Sequence, residues 1–210
     1  SEKCMKSIIF LLLMLVPTFA FSQPTGNTTT MTKEERAKAI KLLLDSQKET
    51  LDALKGLSDA QWNYKSAPEK WSVGEVAEHI WLAEALLFGA LQRALATPEN
   101  ANWAEQTKGK NEVLEQLLLN RNGKAQAPEQ IKPTGKTRAE IMKGLQEARA
   151  KTLQFAQDTQ LPLKSHTLDH PFKVFSTLNA YQWLIYIPLH NLRHNQQIAE
   201  VKAWAGYPQK

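Results

Sequence analysis

The sequence predicts an all-α protein built as a four-helix bundle, and three observations carry that expectation. Thr32–Glu35, Ser72–Glu75 and Thr137–Glu140 each set a Ser or Thr three residues ahead of a Glu, directly before an apolar-periodic run. In such a capping box each side chain satisfies a backbone donor that the helix start leaves unpaired. Between the prolines at 68, 98, 128, 133, 162 and 171, apolar residues recur every three to four positions, the period of one helix face. The alternation of apolar and polar residues that marks a half-buried strand is almost missing.

The chain opens with Met5-Lys6, an apolar run from Ile8 to Phe19, and then Ala20-Phe21-Ser22-Gln23. A basic start, a short apolar core and small residues at the −3 and −1 positions (Ala20 and Ser22) are the marks of a secretory signal peptide, with cleavage expected after Ser22. The apolar run is short for a bilayer span. The mature protein is therefore expected to be exported, periplasmic or extracellular, and free of the membrane. Cys4, the one cysteine of the chain, precedes the apolar run and so is no lipid anchor. Its removal leaves a protein without thiols, which suits an oxidising compartment. Residues 23–32 are expected as a disordered linker and 33–206 as a single helical domain.

The first helix, roughly 33–56, carries Ile40, Leu43, Leu44, Leu51 and Leu54 on one stripe and stops near Gly56. The second, roughly 73–96, carries Val76, Ile80, Ala83, Leu87 and Leu91. The third, roughly 138–157, carries Ile141, Leu145, Ala148 and Phe155, and the fourth, roughly 176–204, carries Trp183, Ile187 and Val201. Four such stripes can be buried against one another in a single core. The link at 97–136 is far longer than neighbours in a simple bundle need. It is polar and holds one short amphipathic piece, Glu112–Asn120, ending at Gly123. A crossover of that length lets the second and third helices run parallel, in an up-down-down-up order. The formal charge of +5, from 26 basic and 21 acidic residues, is spread along the chain; with no block of like charge, no nucleic-acid groove is proposed.

Three histidines fall where a core would take leucines. On the fourth helix Trp183, Ile187, His190, His194, Gln197 and Val201 follow one another at steps of three and four, which puts His190 and His194 on the inward stripe, one turn apart. Two neutral imidazoles so spaced can chelate one metal ion. His79, beside Val76, Ile80 and Ala83, lies on the inward stripe of the second helix. Three imidazoles buried together without a shared ligand leave polar nitrogens in need of partners, at about 1–3 kcal/mol each; one divalent cation would satisfy three of them. A lone core histidine hydrogen-bonded to a carbonyl is the plainer reading of His79. His166 and His170 are also four apart, but Asp169-His170-Pro171 reads as a loop, so helical chelation is not expected of them.

Two stretches resemble the DinB-like (DinB/YfiT) superfamily of metalloenzymes. Trp71-Ser72-Val73-Gly74-Glu75-Val76-Ala77-Glu78-His79 is similar to the family's W-S-x-x-E-x-x-x-H entry into its second helix. His190-Asn191-Leu192-Arg193-His194-Asn195-Gln196-Gln197-Ile198 is similar to its H-x-x-R-H-x-x-Q-I signature. His170-Pro171 looks like a feature of the DinB_2 branch. The resemblance covers most of the mature chain. It implies an up-down-down-up four-helix bundle and a divalent metal ion, zinc or nickel, held by His79, His190 and His194. It also implies metal-dependent transfer of low-molecular-weight thiols, or action on thiol conjugates, as activities within the family.

A cation held by three neutral histidines keeps its full charge, acidifies bound water and polarises a carbonyl. The function expected is thus a metal-dependent hydrolase or transferase acting on a small-molecule substrate. Glu75 and Tyr186 are the candidate catalytic residues, as general base or cavity wall; capping and packing are their plainer roles. Arg193 and Gln197 are expected to support the ligands by hydrogen bonding. Pro188 removes one helical donor and is expected to bend the fourth helix near them. Two alternatives stay open: a non-catalytic metal- or ligand-binding bundle, and an interaction protein with a pH-sensitive histidine core. Assembly as a homodimer is open as well.

Overall fold

The structure, a computed structural model, describes residues 28–123 and 126–209 of the 210-residue chain. The expected signal peptide, 1–22, lies outside the described residues. In chain order the elements are α1 (Lys33–Leu54), α2 (Asp59–Asn63), α3 (Val73–Leu95), α4 (Trp103–Gln106), α5 (Lys110–Leu119), a 3-10 turn (Glu129–Ile131), α6 (Arg138–Asp158), β1 (Thr167–Asp169), β2 (Thr177–Asn179) and α7 (Ala180–Lys202). All three expected capping boxes are formed, opening α1, α3 and α6. Two more open α2 (Ser58 with Gln61) and α7 (Asn179 with Gln182). These use Gln for Glu, and in one case Asn for Ser or Thr, so a search for Ser/Thr followed by Glu passes over them.

The four long helices form the bundle, and side-chain pairs fix their directions. α7 packs against α1 and α3, and α6 closes the square against the same two helices. Tyr181 reaches the Glu35 carbonyl, Asn191 and Asn195 reach Thr50, and Lys202 reaches the Ala53 carbonyl, so α1 and α7 run parallel. Arg36 donates to the carbonyls of Ala156 and Thr159 while Arg149 donates to Ser46, so α1 and α6 are antiparallel. Glu84 meets Arg149 and Phe88 meets Phe155, so α3 and α6 run parallel. The order is up-down-down-up, and the 97–136 crossover makes it feasible by carrying the chain back along the bundle. Where α3 and α6 touch, Gly144 gives the room: a Cβ there would fall 2.1 Å from the indole of Trp81.

The core is apolar at both ends and polar in the middle. One apolar cluster gathers Leu43, Leu87, Leu91, Ala156, Leu184 and Ile187, and the other Leu54, Val76, Ile80, Ile141, Leu145, Ile198 and Val201. Between them each helix contributes buried polar residues: Ser46 and Thr50, Glu84, Arg149 and Thr152, Asn191 and Asn195. Arg149 forks onto both oxygens of Glu84 at 2.8 and 2.9 Å and also donates to the Leu43 carbonyl, Ser46 and Asn191. A cavity of about 10 Å³ borders Thr50, Glu84, Arg149 and Asn191, roughly the room of one water.

Three expectations need correction. α7 starts at Ala180 and not at residue 176, because Thr177–Asn179 pair antiparallel with Thr167–Asp169 as Thr167–Asn179, Leu168–Leu178 and Asp169–Thr177. Three-residue strands are too short to leave an alternation in the sequence. Asp169 is the last residue of β1, while His170 and Pro171 follow it outside any helix or strand, so of the expected loop Asp169-His170-Pro171 only the first residue is in regular structure. Leu44, assigned to the inner stripe of α1, is 49% exposed. The buried face runs instead through Ala39, Leu43, Ser46, Thr50 and Leu54, and its two hydroxyl positions disguised it. Of the expected linker 23–32, residues 23–27 lie outside the described residues; in the rest Met31 is buried and the Thr29 carbonyl accepts the Lys164 N–H at 2.8 Å.

Candidate metal centre

α3 and α7 bring the three histidines together because they cross antiparallel, the start of one beside the end of the other. Val76 and Ile80 on α3 share an apolar cluster with Ile198 and Val201 on α7. That packing sets the level at which His79 meets His190 and His194. The His79 Nε2 lies 3.1 Å from the Nε2 of His194, which lies 3.2 Å from the Nε2 of His190. All three ligand atoms lie within 4.8 Å of one another. Nitrogens bound to one ion at about 2.0–2.1 Å, at angles of about 90–109°, stand roughly 2.9–3.4 Å apart. The separations of 3.1 and 3.2 Å fall inside that range.

The other ring nitrogens decide which protons these contacts carry. His79 Nδ1 donates to the Ile131 carbonyl at 2.8 Å, and His194 Nδ1 donates to Gln197 Oε1 at 2.7 Å. Each ring thereby keeps its single neutral-state proton on Nδ1 and leaves Nε2 as a bare lone pair. Burial pushes all three imidazoles below their usual protonation range, and His190 and His194 are lowered further by the neighbouring imidazoles. Three uncharged imidazoles with their Nε2 atoms turned inward form the donor set that zinc and similar divalent ions take.

The remaining expected site residues fall into two groups. Gln197 accepts from His194 Nδ1 and so orients that ring. Arg193 spends its guanidinium on the carbonyls of Leu118, Asn120 and Gly123, tying the crossover to α7 beside the centre. Tyr186 is buried, and its ring stacks on His190 with centroids 6.2 Å apart; burial raises its hydroxyl well above the usual phenol range. The Glu75 carboxylate accepts the Ser72 N–H at 2.7 Å and pairs with Lys65 at 3.0 Å. It serves the helix start, and neither bond points it at the histidines. Pro188 lies inside α7, just before His190 and His194.

His166 and His170 stay outside the centre. His166 Nδ1 meets the Thr97 carbonyl at 2.7 Å. His170 accepts the Phe172 N–H and stacks on Trp183 and Tyr186, with centroids 5.1 and 5.4 Å away, so it touches the wall behind His190 without joining the three clustered histidines. An open cleft of about 280 Å³, lined by Trp103, Lys108, Lys164 and Tyr181 among others, lies toward the start of α1 and α7, away from the histidines.

Two participants escape sequence reasoning. The Ile131 carbonyl is a backbone atom of the crossover, and nothing in residue type announces it. Glu78, next to His79, is buried with 1% exposure, where a glutamate on a helix would ordinarily be read as solvated. Trp71, expected at the helix entry, packs beside the His79 ring at 4.9 Å.

Three comparisons with known proteins bear on this arrangement. A sequence model of the DinB superfamily matches residues 42–198, a stretch that contains all three histidines. YuaE of Bacillus subtilis (strain 168), an uncharacterized protein, is 30% identical over 162 residues, covering 75% of this chain and 93% of that one. Among solved structures, YfiT from Bacillus subtilis superposes with a TM-score of 0.54 at 16% identity, over 82% of this chain and 89% of its own. YfiT is described as "a probable metal-dependent hydrolase with an unusual four-helix bundle topology".

Proposed function

The chain belongs to the DinB superfamily, and from that membership we propose that it is a metal-dependent hydrolase acting on a small molecule at the His79–His190–His194 centre. One observation carries the reading: three Nε2 atoms converge within 4.8 Å, and two of their rings are locked by Nδ1 bonds into the tautomer that binds a cation. The likeness of the fold to YfiT supports it at the level of architecture.

His79, His190 and His194 would hold the ion, with zinc or nickel as the proposed occupant. When bound, such an ion supplies Lewis acidity, acidifying water and polarising a substrate carbonyl. The chain's own residues prepare that site. Gln197 and the Ile131 carbonyl fix two of the rings, and the Tyr186 ring backs the third. Arg193 braces the crossover that supplies Ile131. Export through residues 1–22 belongs to the same proposal, and N-terminal sequencing of secreted protein checks it.

A second reading, a metal-binding bundle without catalysis, is favoured by the position of Glu75. Its carboxylate is committed to Ser72 and Lys65, so it is not free as a base. The deciding experiment loads purified protein with zinc or nickel and measures ion stoichiometry, then turnover of esters, amides and thiol conjugates. One ion per chain, lost in His190→Ala, with turnover abolished by chelator, supports the hydrolase. Stoichiometric ion without turnover leaves the binding bundle. A well-folded protein that takes up neither ion overturns both.

A further inference from the structure

Glu78 is buried beside His79, and its partners all belong to one loop. Its Oε1 accepts the Thr134 N–H at 2.7 Å and the Thr134 hydroxyl at 2.8 Å; its Oε2 accepts the N–H groups of Gly135 and Lys136 at 3.1 and 3.2 Å. A carboxylate taken out of water costs several kcal/mol unless such donors replace its hydration. Four donors from three consecutive residues therefore make this loop and the start of α3 one unit.

That unit contains the atom that orients His79. Ile131, three residues before Thr134, closes the 3-10 turn Glu129–Ile131 and is buried, and its carbonyl accepts the His79 Nδ1–H. Pro133 lies between the two anchors with φ fixed by its ring, so little slack remains in the connection. Successive residues of α3 thus do complementary work. Glu78 grips 134–136, and His79 uses the carbonyl which that grip holds still.

We propose that Glu78 is a positioning residue of the histidine centre, keeping the Ile131 carbonyl where it takes the His79 Nδ1 proton and leaves Nε2 free for an ion. The proposal rests on the reading of the centre as a metal site. Glu78 does not touch the ion; its effect passes through the loop.

The test combines metal affinity with a spectroscopic signature. Glu78→Gln keeps the volume but turns an NH2 toward donors of the loop, and Thr134→Val removes one hydrogen bond from the far side of the same contact. Zinc affinity is measured by chelator competition, and the tautomer of His79 by nitrogen chemical shifts in metal-free protein near pH 8. The wild type is expected to show the Nδ1–H tautomer. Glu78→Gln is expected to mix the tautomers and to lower zinc affinity about 10–100-fold, the scale of lost outer-sphere support. Thr134→Val is expected to move both readouts less, in the same direction, and the double variant to bind no more weakly than Glu78→Gln alone. If Glu78→Gln fails to fold, Thr134→Val with its two readouts decides. Wild-type tautomer and wild-type affinity in the folded variants overturn this proposal alone. A wild-type chain that takes no zinc overturns it together with the metal reading.

Discussion

Gln197 accepts the Nδ1–H of His194 at 2.7 Å, across a single turn of α7. The imidazole it holds is also the middle member of the centre, since His194 Nε2 stands within 3.2 Å of both other Nε2 atoms. Replacing Gln197 by Leu keeps the bulk and removes the acceptor. The ring then loses its tautomer preference, and zinc affinity is expected to fall about 10–100-fold. Gln197 is only half-buried, so the melting temperature of the metal-free protein should change little. Chelator competition beside a thermal melt checks both halves; unchanged affinity would reject the orienting role.

The polar layer makes a different demand. Arg149 and Glu84 are 2% and 3% exposed at their side chains, and Thr152 is the other donor to Glu84. Arg149→Met strands the carboxylate in the core and is expected to destabilise the fold by about 3–5 kcal/mol. Replacing both residues with apolar ones should recover only part of that, because Ser46 Oγ and Asn191 Oδ1 also lose the donor that Arg149 supplies. Urea denaturation of both variants gives the two numbers. A loss below about 1 kcal/mol for Arg149→Met would place the pair in an effectively hydrated setting.

What could be read from the sequence follows from which signals are local. Capping boxes and apolar stripes are local, so α1, α3 and α6 begin at Lys33, Val73 and Arg138, close to where those signals put them. The His190–His194 pair is local too, and its i, i+4 spacing on an inward stripe was enough to single it out. His79 had to be placed by the stripe of another helix, and the antiparallel crossing of α3 and α7 then completed the trio. The polar layer was hidden because Ser46, Thr50 and Asn195 look like surface residues until their partners on other helices are known. Ile131 and Glu78 were hidden for the same reason, since their contacts span 52 and 56–58 residues. Leu44 erred in the opposite direction, an apolar residue whose face the bundle leaves in water.

Gly144 and Trp81 set how closely α3 and α6 approach. A Cβ at residue 144 would stand 2.1–2.6 Å from three indole atoms of Trp81. In a helix an alanine would ordinarily stabilise relative to glycine by about 0.5–1 kcal/mol. Here the clash wins, and Gly144→Ala is expected to destabilise by about 1–3 kcal/mol. Trp81→Leu opens the space, so the double variant should be more stable than the sum of the two single changes predicts. Additive effects in thermal melts would mean that the indole simply swings aside.

Acid should weaken the metal-free fold through the buried imidazoles. In the unfolded chain a histidine takes up a proton as the pH drops through about 6.5. Folded, burial keeps His79, His190 and His194 neutral to lower pH, and the His170 ring is pushed down to about 4. Between the unfolded and folded values the unfolded state binds more protons, so stability rises with pH across that window and is lost as the pH falls. The melting temperature of metal-free protein is expected to be level above about pH 7 and to decline steadily from about 6.5 downward. His190→Gln removes one of the competing proton sites and should flatten the decline. Saturating zinc should raise the whole curve near neutrality and steepen its acid limb, since protons must then displace the ion from all three rings. A melting temperature that stays level from pH 8 to 5, or an unchanged slope in His190→Gln, would mean that these imidazoles are already protonated or solvated in the folded protein. They could not then serve as a preformed set of neutral ligands.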